Sequence, residues 1–231
     1  GLANPGLEAV LNHELPWLAK QDVPVIVNVA GAAVEEYVEV ARSIADSGLA
    51  AAIELNVSCP NVKAGGISFG VDPGVLKNLV AEVKQVCRIP LFVKLTPNVT
   101  DIRELALAAQ AGGADGLSLI NTLIGMKIDL NSRRPVLANK IGGLSGPAVK
   151  PVAVRMVYET AQVVDIPIIG MGGIATGADA VEFIMAGASA VMVGTANFTN
   201  PLACPNIIAE IRDFMLENGI KSLDEIRGCA L

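Results

Sequence analysis

Apolar residues recur along this chain in two rhythms. Residues 6–20 place Leu7, Val10, Leu11, Leu15 and Leu18 at steps of three and four, which predicts a helix that Pro16 ends or bends, with His13 on its solvent side. Short β-branched runs alternate with such helices from there on. The predicted strands are 23–29, 51–57, 89–95, 114–121, 166–173 and 189–194. The predicted helices are 33–47, 73–86, 101–111, 147–164, 177–187 and 202–218, with a short one at 222–228 that Ser222 caps. Asp72-Pro73 reads as a helix cap followed by proline in the first turn, and Gly48 as a helix terminator. Residues 122–146 form a long polar stretch with neither rhythm.

Strands alternating with helices over the whole length imply an α/β fold with a parallel sheet. An open doubly wound sheet and a (β/α)8 TIM barrel both satisfy the pattern. The strand ends favour the barrel. Asn28, Asn56, Lys94, Asn121, Gly172-Gly173 and Gly194-Thr195 each fall where a strand gives way to a loop, and a barrel rings its active site with those ends. An open sheet would gather them at one switch point, and no G-x-G-x-x-G follows the first strand. A barrel needs about eight strand–helix units, whereas six are countable here. The expectation is therefore a single barrel domain over 1–231 that lacks its first two strands.

Composition narrows the partners. The chain has 231 residues, 52% hydrophobic and only 3% aromatic, so its core is built from Ala, Val, Ile and Leu, as buried parallel strands are. The net charge of −6, with no basic block, leaves no footprint for nucleic acid. No apolar run is long enough to span a membrane, no signal peptide is evident, and the four cysteines form no C-x-x-C pair. A cytoplasmic protein with free thiols is expected. A single histidine makes an imidazole-rich metal site and a Ser-His hydrolase poor fits, and no metal is expected.

Candidate chemistry centres on Glu54-Leu-Asn-Val-Ser-Cys-Pro-Asn61 and the following Val-Lys-Ala-Gly-Gly66. Pro60 stops the strand, leaving Cys59 on a loop between the amides Asn56 and Asn61. Taken alone, the stretch fits equally a small buried hydrophobe and a reactive thiol. Two glycine turns, 170–177 and 193–195, end the last two strands, where many barrels bind phosphate through backbone N–H groups. Plain tight turns are the competing account. Lys140-Ile-Gly-Gly-Leu-Ser-Gly146 offers further amide donors. Lys94, inside the apolar run Leu91-Phe-Val-Lys-Leu95, is either paired or functional, because burying a lone ammonium is costly; a snorkelling lysine is the alternative. With Asn28, Asn56 and Asn121-Thr122, the set suits a phosphorylated planar cofactor and a planar polar substrate.

These residues together resemble the class 1 dihydroorotate dehydrogenases. The stretch from Glu54 to Asn61 is similar to that family's catalytic loop, and 62–70 to its NAD-linked 1B catalytic subunit. Phe92-Val-Lys-Leu-Thr-Pro97, Ile120-Asn-Thr122, Gly142-Gly-Leu-Ser-Gly146, Met171-Gly-Gly173 and Val193-Gly-Thr195 follow in the family's order. The resemblance implies a (β/α)8 barrel with FMN contacted by Asn28, Asn56, Lys94, Ile120, Gly146, Gly172, Gly173, Gly194 and Thr195. It implies that Leu2, Asn56, Asn121 and Thr122 hold dihydroorotate or orotate and that Cys59 is the general base. It further implies a homodimer within a heterotetramer, whose second subunit carries FAD and a [2Fe-2S] cluster and passes electrons to NAD. The family pattern has two more strands before this chain begins, bearing a serine and a lysine, and an Asn-Ala-Ile-Gly-Leu segment of which only Gly1-Leu2 is present. Alternatives are an inactive N-terminally truncated fragment, a flavin enzyme for another pyrimidine, and a non-flavin phosphate-binding isomerase or aldolase.

Overall fold

The computed structural model describes residues 4–58 and 69–231, which fall into two compact units. The first unit holds the described residues up to Lys94 together with Leu107–Leu117. It opens with a helical segment, α1 (7–21), which runs through Pro16 instead of ending there. The turn before the proline, Val10–Glu14, widens to a π-helix. A proline lacks the N–H for the ordinary bond and crowds the carbonyl four residues back, so a wider turn accommodates it. His13 is exposed, as its place on the helix predicts.

Three parallel strands follow, each with its helix: β1 (Ile26–Val29), α2 (Val34–Asp46), β2 (Ala52–Asn56), α3 (Pro73–Val86) and β3 (Leu91–Lys94). β1 starts later than the β-branched run because Pro24 has no N–H to give to a ladder. β2 pairs with both neighbours, Asn28 opposite Glu54 and Asn56 opposite Lys94. All five residues of β2 are buried. The helices bury one stripe each: Tyr37, Ala41 and Ile44 on α2, and Leu76, Leu79, Val80 and Val83 on α3. The Asp72 side chain accepts the Val75 N–H at 2.9 Å and caps α3. The unit closes with the end of α4 (Ile102–Ala111) and the start of β4 (Gly116–Leu119), where the Asp115 N–H donates to the Leu91 carbonyl at 2.9 Å. Gly112 is required between them, since a Cβ there would lie 2.7 Å from the Lys77 carbonyl oxygen of α3.

The second unit comprises Leu95–Ala106 and Ser118–Leu231. The Leu95 N–H donates to the Ser118 carbonyl, and the Ile120 N–H to that of Met171. The polar stretch after β4 is not a plain loop. It folds into two small antiparallel ribbons, β5 (Leu123–Gly125) with β8 (Gly142–Leu144), and β6 (Ile128–Asp129) with β7 (Arg134–Pro135). Such short strands carry too few alternations to register as a period. Then come α5 (Lys150–Ala161), β9 (Ile168–Met171), α6 (Gly177–Met185), β10 (Ala190–Met192), a short α7 (Ala196–Thr199) and α8 (Ala203–Glu217). β9 and β10 are parallel, Gly170 opposite Val191. Gly170 admits no side chain, because a Cβ would meet the Phe183 ring of α6 at 2.6 Å. α6 begins at a capping box, with Thr176 and Asp179 each bonding the other's backbone N–H.

Six strand–helix units thus succeed one another among the described residues. No helix among them is long and apolar enough to cross a membrane. Asp72→Ala removes the cap of α3, whose apolar stripe lies in the core. The expected loss is about 1 kcal/mol of unfolding free energy, measured by urea denaturation at neutral pH; an unchanged midpoint would show that the cap adds nothing.

Candidate functional site

In the first unit the polar strand ends stand on adjacent rungs of one ladder. Side chains alternate faces along a strand, so Glu54 and Asn56 share a face, and register puts Asn28 beside the first and Lys94 beside the second. Glu54 is 3% exposed. One carboxylate oxygen, Oε1, accepts from Asn28 Nδ2 at 2.5 Å and from Lys94 Nζ at 3.3 Å. Lys94 is therefore paired, and its side chain retains 18% exposure. Its carbonyl accepts the Ser58 hydroxyl at 3.2 Å.

Asn56 is held from two sides. The Tyr37 hydroxyl donates to its carbonyl at 2.8 Å, and its side-chain oxygen accepts the Ser58 N–H at 3.4 Å. Tyr37 also stacks edge-on against Phe69, with ring centroids 5.7 Å apart. Gly70 packs on the end of β2, where a Cβ would come within 2.6 Å of the Val57 carbonyl oxygen. Residues on either side of 59–68 are thus anchored to the C-terminal end of β2. Cys59 itself, like Leu2, lies outside the described residues.

The second unit carries its own ring of loop amides. Asn98 Nδ2 donates to the Thr122 carbonyl at 3.0 Å, and its Oδ1 accepts the Ile124 N–H at 3.0 Å. Its Nδ2 also reaches Thr96 Oγ1, so Asn98 fixes the backbone on which Asn121 and Thr122 ride. The Asn121 N–H donates to Leu95 O at 3.0 Å. Ile120 is buried, and its side chain lies where a Cβ on Gly172 would intrude, 3.2 Å from Cγ1. Gly172 and Gly173 have φ of 128° and 82°, values that L side chains rarely adopt, and Gly173 abuts the Gly146 carbonyl and the start of α5. The fold needs both glycines. Gly194 differs. It has no positive φ, and a Cβ there would find nothing within 4 Å among the described residues. Beside it the Thr195 hydroxyl donates to Ser145 Oγ at 3.1 Å.

A charged cluster braces the Gly172-Gly173 turn from behind. Lys150 Nζ bonds Asp179 Oδ1 at 2.7 Å and Glu182 Oε2 at 2.5 Å. Asp179 Oδ2 accepts the N–H groups of Ala175 and Thr176 at 3.0 and 2.9 Å. Burial pushes the Asp179 carboxyl up, but the bonds from Lys150, Ala175 and Thr176 outweigh it and hold it below the usual carboxylate range. Asp179 and then Glu182 raise the Lys150 ammonium above its ordinary value. The described cysteines are free. Burial pushes the Cys87 thiol up, so it is an inert core thiol.

Among the candidate residues, Asn28, Asn56 and Lys94 meet in the first unit. Ile120, Asn121, Thr122, Gly146, Gly172, Gly173, Gly194 and Thr195 belong to the second. The sequence reading missed Glu54, Tyr37, Asn98 and the Lys150 cluster. Glu54 had a signal, a lone carboxylate inside the apolar run Ala51-Ala-Ile-Glu-Leu55. Asn98 had none.

Parallel strand–helix units with amides, glycines and one paired lysine at the strand ends define an α/β protein of the barrel class. The comparisons narrow the class. The family description "Dihydroorotate dehydrogenase" matches residues 1–215. The catalytic subunit of dihydroorotate dehydrogenase B (NAD(+)) from Geobacillus sp. (strain WCH70) is 58% identical over 228 residues, covering 99% of this chain and 73% of that protein. The like-named subunit from Bacillus cytotoxicus is 57% identical, covering 99% and 74%. A crystal structure of DHODH from Eimeria tenella in complex with ferulenol superposes with a TM-score of 0.81 at 25% identity, over 97% of this chain and 68% of the other. The chain belongs to the dihydroorotate dehydrogenase family of oxidoreductases and is similar to its B-type catalytic subunits. Its α/β fold is that of part of a TIM barrel.

The Asp179 carboxyl binds its proton less readily in the folded chain than in the unfolded one. Its stabilisation is therefore complete above about pH 5 and fades as pH falls through the lowered folded value. Asp179→Asn is expected to cost about 2 kcal/mol at pH 7. That deficit should shrink in urea titrations as pH falls below the ordinary carboxylate range; a deficit independent of pH would rule out the ionised carboxylate as the brace.

Proposed function

We propose that this chain is the FMN-binding catalytic part of an NAD-linked dihydroorotate dehydrogenase, which oxidises (S)-dihydroorotate to orotate in pyrimidine biosynthesis. The observation that carries the flavin reading is Gly194. Among the described residues nothing requires a glycine there, neither φ nor packing, and a group that approaches the backbone closely accounts for the space it leaves open. Lys94 supports the same reading as a part-buried cation at a strand end. By family resemblance Asn28, Asn56, Lys94, Ile120, Gly146, Gly172, Gly173, Gly194 and Thr195 contact FMN.

Bound FMN supplies the acceptor for the hydride that leaves C6 of the substrate. The protein's own groups do the rest. Cys59, as thiolate, takes the proton from C5, so that the C5–C6 double bond of orotate forms as the C5–H and C6–H bonds break. Asn56, Asn121 and Thr122, with Leu2, hold the pyrimidine ring in register, which is a positioning contribution. Asn98 serves that register indirectly, through the backbone of Thr122. The Lys94 ammonium would stabilise negative charge on a reduced flavin bound there, an electrostatic contribution. The relatives' name "catalytic subunit" points to a separate electron-transfer subunit. We assign it FAD and a [2Fe-2S] cluster, in a heterotetramer built on a homodimer of this chain.

Two substitutions test the assignments in the full-length protein. Cys59→Ala should retain the flavin absorbance while turnover is nearly abolished, and the wild-type rate should climb with pH toward the thiol's ordinary value near 8.5. A variant that keeps most of its rate sinks the base assignment. Gly194→Ala should leave the melting temperature of the cofactor-free protein unchanged or slightly raised, because alanine restricts the unfolded chain. FMN affinity, read by fluorescence titration, should fall at least about tenfold; an unaltered affinity would remove the observation on which the flavin reading rests.

A further inference from the structure

Glu54 is buried at the centre of a strand in which every residue is buried. A carboxylate in that position is a cost to the fold, and an apolar residue of similar volume would commonly serve stability as well or better. Its partners show what the charge accomplishes. One oxygen takes both the Asn28 amide and the Lys94 ammonium, so the two donors are tied to a single point in the ladder. Lys94 is consequently held at both ends, its ammonium by Glu54 and its carbonyl by the Ser58 hydroxyl. An ammonium has three N–H donors and can serve Glu54 and a ligand together.

We propose that Glu54 is a positioning residue for the redox chemistry of this site. Its carboxylate fixes Lys94 and Asn28 and, as a negative charge 3.3 Å from the ammonium, limits how far Lys94 stabilises the reduced, anionic cofactor. The proposal rests on the flavin reading above. It assigns Glu54 no proton transfer and no contact with substrate. Lys94 without its counter-charge would favour reduced flavin more strongly. The cofactor would then be reduced more easily and reoxidised less readily.

The test is the midpoint potential of FMN bound to the full-length protein, followed at the flavin absorbance band during dye-equilibrated reduction. Glu54→Gln keeps the shape and an oxygen for Asn28 Nδ2 while removing the charge. The expected result is a shift of at least about tenfold in favour of reduced flavin, a rise of about 30 mV for a two-electron couple. A scaffold role alone would alter melting temperature or FMN affinity and leave the potential of the bound flavin where it was. An unchanged potential in flavin-loaded Glu54→Gln therefore overturns the proposal and leaves the flavin reading standing. If that variant does not hold FMN, Glu54→Asp keeps the charge and withdraws it by one methylene. A smaller rise supports the proposal, and no rise overturns it. Wild-type protein that takes up no FMN overturns both.

Discussion

A parallel strand covered on both faces has room for polar side chains only where they pair with one another or reach the end of the ladder. β2 shows both solutions within five buried residues. Asn56 stands at the strand's end, and Glu54, two residues earlier, is satisfied by an amide from β1 and an ammonium from β3. The register of the three strands is what brings these groups together. A slip of one residue would turn Glu54 to the other face of the strand, away from Asn28 and Lys94, and would remove Asn56 from its rung with Lys94.

That constraint extends outward from the strands. Tyr37 belongs to α2, yet its hydroxyl is spent on the Asn56 carbonyl and its ring on Phe69, so one helical residue ties the end of β2 to Phe69. In the second unit the same economy is met by different means. Glycines with positive φ shape the turn after β9, and the Lys150–Asp179–Glu182 cluster bonds the backbone behind it. Asn98 does for the Asn121-Thr122 loop what Tyr37 does for Asn56. Tyr37 and Asn98 each fix the backbone of a residue that is assigned to a ligand, which is how a rigid scaffold positions loop chemistry.

Much of the fold was legible in the chain because helix and strand periods differ and the caps are local. α3 was readable to the residue, since Asp72-Pro73 marks its start chemically. The candidate residues were legible too, where a polar residue interrupted an apolar run or a glycine pair followed one. The ribbons at 123–144 and the four-residue α7 escaped because neither is long enough to show a period. Pro16 signals a helix end or a bend, and the chain runs on through it behind a π turn. Glu54 is the instructive omission. Its neighbours drew attention to amides and a thiol, while the carboxylate's meaning depended on strands 26 and 40 residues away in sequence.

The sequence by itself determined which segments are helix and which are strand, that strands and helices alternate, and which strand ends carry amides, glycines and a lysine, because those properties are set by neighbours a few positions apart. It also carried the family, since the motifs stand in order along nearly the whole chain. Only the tertiary structure decided that Lys94 is paired and with what, that Asn28 shares that partner, that Gly172 and Gly173 are demanded by the fold while Gly194 is not, and that Asn98 and Asp179 brace their loops. Those facts depend on register and on packing between distant segments, and distance along the chain carries no information about either.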